Sequence, residues 1–209
     1  MRDSKRSSKS QVSAQYTNSA VVTTVPPEVL DFHLGQALAL LEQQWYAPGT
    51  GVVAACLLDP ATGQAIYDVS RDIGHNLYSH AERNVIARYE EEHGAPPPKD
   101  AILITTLSPC VGETSWRVGE SCSDLVAKYG LHRLHVGLTD PQHPPEAAHA
   151  PGHSFEITVT RNEELAKTCR ALRGLFNLKS PRCAEGSPVR LADAYKSDAV
   201  FKSVFKPRK

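Results

Sequence analysis

Ala101-Ile102-Leu103-Ile104-Thr105-Thr106-Leu107, followed by Ser108-Pro109-Cys110, carries apolar residues at consecutive positions and ends abruptly at a proline. A run this short and this continuous reads as a strand covered on both sides, not as an amphipathic helix. The residues around it follow the same logic. Val52–Leu58 is a second continuous apolar run and reads as a second buried strand. Asp59-Pro60-Ala61-Thr62-Gly63 is a turn by composition, and Ile66, Tyr67 and Val69 continue into a strand antiparallel to the first. Between these strands and the opening run lie a loop, Arg71–Tyr78, and a helical stretch from about Ser79 to His93 that Gly94 and three prolines stop. Upstream, Val29, Leu30, His33, Leu34, Ala37, Leu38 and Leu41 recur at three- and four-residue steps after Pro26-Pro27, which makes one apolar helix face ending before Pro48-Gly49.

Downstream, residues 111–121 form a loop, and Ser121–Tyr129 reads as a short helix with Gly130 as its stop. Leu134–Leu138 and the alternating Phe155–Val159 read as strands separated by the proline-rich segment 141–153. Glu163–Leu178 closes the sequence of elements as a helix with Leu165, Thr168, Cys169, Leu172, Leu175 and Phe176 inward. Strands alternating with helices give an α/β fold, here a three-layer α/β/α sandwich around a mixed five-stranded sheet. The polar residues 1–26 read as a disordered basic tail, 27–182 as one domain, and 183–209 as a second basic tail with a short helix at 189–201.

The chain has 209 residues, 41% apolar and 22% charged, which is ordinary for one globular domain. No apolar run reaches the ~18 residues of a membrane span, and the basic N-terminus leads into no apolar core of a secretory leader. Five cysteines are too few and too odd a number for a disulfide framework, so a reduced, cytoplasmic setting is expected. The net charge is zero, but residues 1–25 carry +3 and residues 181–209 carry +4, which leaves −7 on the middle. An acidic domain is a poor electrostatic template for a phosphate backbone, so RNA contacts would fall to the tails.

Two segments carry chemistry. Ser79-His80-Ala81-Glu82 stands at a helix start, where Ser79 and Glu82 have the spacing of a capping box. Pro109-Cys110 stands at a strand end, and Cys122 opens the next helix. Taken together, one imidazole and two thiolates offer three ligands for Zn2+ and leave a fourth position for water, which is what a catalytic zinc needs. Helix N-termini favour thiolate at Cys122 and carboxylate at Glu82. Cys56 and Cys169 remain alternatives to Cys122, but both sit in apolar periodic runs.

His-x-Glu followed by Pro-Cys and a second cysteine is similar to the signature of the zinc nucleobase deaminases. With Thr106-Leu107-Ser108-Pro109-Cys110 and Gly137-Leu138-Thr139-Asp140-Pro141, the chain resembles the cytidine deaminase superfamily over about residues 28–180. The resemblance implies His80, Cys110 and Cys122 as zinc ligands, Glu82 as proton shuttle and the family's five-stranded sheet. The family usually spaces its cysteines as Pro-Cys-x-x-Cys; here eleven residues, Val111–Ser121, lie between them. That long stretch, with Arg117, Gly119 and Cys122-Ser123-Asp124, is similar to the riboflavin-pathway deaminases, as is Ser70-Arg71.

This second resemblance implies a hydrolytic deaminase of a phosphorylated diamino-ribitylaminopyrimidinone, a small-molecule substrate. Ser70, Arg71, His75, Asn76, Ser108 and Arg117 are the candidates for substrate contacts. The rival substrates are tRNA adenosine and a nucleoside, nucleotide or free base. The rival class is an inactive deaminase fold serving as a binding subunit, against which an intact Glu82 argues. Relatives imply a homodimer.

Overall fold

The computed structural model describes residues 24–74, 77–112, 119–140, 154–175 and 196–206. The chain opens with α1 (Pro27–Gln44), whose first turn is set by Pro26 and Pro27. Proline is favoured there because its missing N–H would have no helical partner. The antiparallel pair β1 (Thr50–Leu58) and β2 (Ala65–Gly74) follows, with Ala55 opposite Asp68 and Leu57 opposite Ile66. Next come β3 (Leu77–Ser79), α2 (Ala81–His93) and β4 (Ile102–Thr105). The second half contains α3 (Cys122–Lys128), β5 (Arg133–Val136), β6 (Glu156–Val159), α4 (Glu163–Leu175) and α5 (Asp198–Phe205).

The strands form one mixed sheet in the order β3-β2-β1-β4-β5-β6. Pairs from β3 to β4 are antiparallel, and β4-β5-β6 are parallel. Among the described residues the sheet therefore has six strands, where five were expected. The added strand is β3, which pairs Arg71 with Ser79 and Asp72 with Tyr78. Residues 71–79 show no apolar alternation, so the pattern reads as a loop. What makes them strands is the backbone edge that β2 offers.

Helices lie on both faces of the sheet. Along β1 the side chains alternate sides: Ala54, Cys56 and Leu58 turn toward α1, whereas Ala55 and Leu57 turn toward α2. One core joins Ala37, Leu38, Leu41 and Trp45 with Ala54, Val69, Cys169 and Leu172, so α1 and α4 share a face. The other joins Leu57, Val85, Ile86, Leu103, Leu125 and Leu134, so α2 and α3 share the opposite face. At roughly 1.5–3 kcal/mol for each fully buried large aliphatic side chain, these two cores dominate the stability.

The last helix differs from its expectation. Where a helix over 189–201 was expected, the described helix α5 begins at Asp198 and ends at Phe205, four residues past the expected end. Residues 189–195 and most of both predicted tails lie outside the described residues. α5 is docked: Trp45 is fully buried against Phe201 and Phe205, and Lys196 donates to the Trp45 carbonyl at 2.5 Å. It therefore packs on the α1 side and joins the core there.

Beyond β4 the chain stays clamped from both sides. Thr106 N donates to Ala54 O at 3.0 Å, Gly137 N donates to Thr105 O at 2.9 Å, and Ser108 N donates to Leu138 O at 3.0 Å. The backbone thus reaches Pro109-Cys110 held between β1 and the continuation of β5.

Candidate metal centre

Three elements deliver the ligands. His80 is the N-cap of α2, with extended backbone (φ −72°, ψ 152°), so its side chain leaves the helix at the very start. Cys122 is the first residue of α3, whose N-cap Ser121 accepts a hydrogen bond from Asp124 N at 3.0 Å. Cys110 follows the clamped end of β4 and is fixed to α3 by Ser123 N, which donates to its carbonyl at 3.1 Å. The capping box expected of Ser79 and Glu82 does not form. His80 takes the N-cap place, and Ser79 instead donates to Asn84 Oδ1. Asn84 in turn donates to Val69 O at 2.8 Å, so the pair ties the start of α2 to β2.

The three ligand atoms converge. Cys110 Sγ is 3.5 Å and Cys122 Sγ 3.4 Å from His80 Nδ1, and all lie within 4.8 Å of one another. Tetrahedral zinc with bonds of about 2.3 Å to sulfur and about 2.05 Å to nitrogen gives a sulfur–nitrogen edge of about 3.6 Å. The donor set and its spacing therefore fit zinc.

The electrostatics agree. Hydrogen bonding with Cys122, and further the nearby His80, lower the Cys110 thiol, while the same hydrogen bond and burial raise Cys122, so the two sulfurs share one proton. A divalent cation takes the place of that proton and makes both sulfurs thiolates. Cys56 and Cys169, the alternatives, are fully buried and pushed up to about 12 by desolvation. They are core thiols outside the cluster.

Glu82 stands two residues beyond His80 and is 3% exposed. Burial raises its carboxyl to about 7, against an opposing pull from His80. Its Oε2 has no hydrogen-bond partner, a costly state for a buried oxygen unless a ligand is meant to meet it. A carboxyl poised near neutrality can both take and give a proton.

Residues 28–138 match the family described as the cytidine and deoxycytidylate deaminase zinc-binding region. The chain belongs to this deaminase family. The match runs from α1 past β5 and includes His80, Glu82, Cys110 and Cys122, so the zinc-binding triad is intact. Among solved structures, the chain is similar to the diaminohydroxyphosphoribosylaminopyrimidine deaminase/5-amino-6-(5-phosphoribosylamino)uracil reductase of Thermotoga maritima. The TM-score is 0.53 at 21% identity, covering 74% of this chain and 43% of that one. The deaminase thus spans less than half the length of that protein. It is also similar to the Aspergillus oryzae Rib2 deaminase in complex with DARIPP, at TM-score 0.46 and 17% identity, over 63% of this chain and 84% of that one. A third similar structure comes from work on tRNA:A34 deaminases, at TM-score 0.44 and 19% identity, over 69% of this chain and 99% of that one. A sequence search of curated proteins finds no match.

The residues named for substrate contact divide. His75, Asn76 and Arg117 lie outside the described residues. Ser70 is buried, and its Oγ accepts from Val53 N at 3.1 Å across the irregular start of β1. The Arg71 guanidinium is held by Asp68 at 2.8 Å and Gln44 at 3.2 Å. It lines a groove along α2 that includes none of the three ligand residues. Ser108 is buried, and its Oγ accepts from Asp140 N at 2.8 Å. Asp140 also pairs with Arg173 of α4 at 3.1 Å. Asn84, Arg83 and the Asp140–Arg173 pair were not singled out in the sequence. Their partners are mostly backbone groups or distant residues, which leave no local spacing to read. No helix among the described residues is long and apolar enough to cross a membrane.

Proposed function

We propose that this zinc-dependent deaminase acts on a small pyrimidine-type ring bearing a phosphorylated ribitylamino chain, the diaminopyrimidinone of riboflavin biosynthesis. The observation that carries the chemistry is the buried, unpartnered Glu82 Oε2 beside the His80, Cys110 and Cys122 cluster. Zinc held by those three residues would supply a water activated at neutral pH. Glu82 accepts the proton that this water releases and passes it to the ring nitrogen next to the carbon under attack. A carbon–oxygen bond forms, the carbon–nitrogen bond to the exocyclic amine breaks, and the amine leaves as ammonia with a further proton relayed by Glu82. The ring keeps a carbonyl.

Support for the substrate comes from two sides. The cysteine spacing and the sequence Pro109–Asp124 resemble the riboflavin-pathway deaminases, and the Thermotoga maritima protein of similar fold is named as a deaminase of the related phosphoribosylaminopyrimidine. We assign Arg117 to the phosphate, because its segment is anchored at both ends by ligand residues. His75 and Asn76 are assigned to the ribityl chain. Ser70, Arg71 and Ser108 already hold backbone or carboxylate partners, and Arg71 lines a groove without the ligand residues, so these three are assigned no substrate contact.

The test is ammonia release from pyrimidine, purine and riboflavin-pathway amines, with and without a zinc chelator. Release from the ribitylamino phosphate substrate, abolished by chelation and with KM raised in Arg117→Ala, is the expected result. Release from tRNA adenosine or a free base in its place overturns the substrate assignment. Release from none of them overturns the enzymatic reading in favour of a binding subunit.

A further inference from the structure

We propose that Arg83 is a positioning residue that holds the two ligand-bearing helices together and so replaces the constraint that a short cysteine spacing would supply. The proposal rests on the His80, Cys110 and Cys122 centre, not on the identity of the substrate.

The geometry is specific to this chain. His80 is the cap of α2 and Cys122 is the first residue of α3, so the metal needs the two helix starts at a fixed separation. Two thiolates in Pro-Cys-x-x-Cys are three residues of chain apart and keep each other in place. Here the step from Cys110 to Cys122 is twelve residues. Loop-closure statistics make two ends joined by a fourfold longer segment about eightfold less concentrated at each other. Ser123 N, bonded to the Cys110 carbonyl, ties α3 to one ligand, and a second tie must set α3 against α2, which carries His80.

Arg83 is placed to do so. It follows Glu82 on α2, and its Nη2 donates to the carbonyl of Glu120 at 2.9 Å. Glu120 immediately precedes Ser121, the cap of α3. The carboxylate of Glu120 lies 3.8 Å from the same guanidinium nitrogen and supports the contact without being its main bond. Gly119 closes the arrangement. It has φ +74°, and a Cβ there would come within 3.1 Å of Arg83 Nη2 and 3.3 Å of Cζ. The guanidinium thus lies against the backbone at Gly119, where an added Cβ would crowd it, three residues ahead of the ligand. The bond to the Glu120 carbonyl fixes where α3 begins, and with it the direction of Cys122 Sγ.

The experiment is competition for zinc between the full-length protein and a chromophoric chelator, with thermal melting of the metal-free forms as a control. Arg83→Ala is expected to weaken zinc binding about tenfold, the lower end of the range for residues that orient metal ligands, with little change in the metal-free melt. Arg83→Lys is expected to recover most of the affinity, and Glu120→Gln, which keeps the carbonyl, to stay within about twofold of wild type. Equal affinity in wild type and Arg83→Ala overturns the proposal. So does a tenfold loss in Glu120→Gln, because it moves the effect from the carbonyl bond to the charge pair. If Arg83→Ala does not fold, Arg83→Met is compared with Arg83→Lys, and equal affinities in those two overturn it. Wild type that binds no zinc overturns the metal centre itself, a result distinguishable from all the others.

Discussion

Replacing Gly137 with alanine tests whether the clamp behind Cys110 is as tight as it looks. An added Cβ would lie 2.3 Å from Cys169 Sγ and 3.0 Å from Thr106 O, well inside the ~3.5–4.0 Å of an ordinary contact. β5 has no easy way to withdraw, because Gly137 N donates to Thr105 O at 2.9 Å. Overpacking of this kind costs about 2–3 kcal/mol. Cys169→Ala alone removes one buried sulfur and leaves a small void, at a cost of about 1 kcal/mol. It also removes the worst clash, leaving only the milder contacts with Thr106 O at 3.0 Å and Cys169 Cβ at 3.3 Å. The double variant is therefore expected to be more stable than the sum of the singles by about 1–2 kcal/mol. Urea unfolding followed by circular dichroism measures all four proteins. A Gly137→Ala variant as stable as wild type, or strict additivity in the double variant, refutes the argument.

Four further outcomes are expected. Glu82→Gln keeps its zinc, measured by elemental analysis, while turnover drops by about 10²–10⁴ as the proton relay is lost. Cys122→Ser purifies with substoichiometric zinc, and a chelator lowers the melting temperature of wild type but not of this variant. Burial holds the His135 and His33 imidazoles below their ordinary range, so the unfolded chain takes up protons first as the pH falls. Stability is therefore full above about pH 6.5 and declines below it; His135→Gln flattens that slope in a series of urea titrations. Phe205→Ala uncovers the fully buried Trp45 and costs about 2–3 kcal/mol in the same assay, with no effect on zinc content.

What the sequence revealed and what it hid follow from the range of the interactions. The buried strands were legible because Val52–Leu58 and Ala101–Leu107 must be apolar on both sides to lie between two helix layers. His80, Glu82, Cys110 and Cys122 were legible because ligand chemistry restricts residue type as well as position. β3 was not, since Leu77–Ser79 owes its form to hydrogen bonds along β2 and shows no pattern of its own. Nor was the docking of α5: the aromatic residues were visible, but their partner, Trp45, is about 150 residues away in the chain and only folding brings them together. The capping box failed for a related reason. Its spacing was present, but the N-cap place went to the histidine that the metal requires, and the serine was left to bond Asn84.

The segment between the two cysteines is anchored at both of its described ends. Cys110 is tied to α3 through Ser123, and Glu120 to α2 through Arg83. With both ends secured independently of what lies between them, residues 113–118 can be exchanged or lengthened without disturbing the ion-binding side chains. That makes this stretch a graft point beside a reactive centre. Libraries randomised there would sample new selectivities while the hydrolytic apparatus is inherited intact.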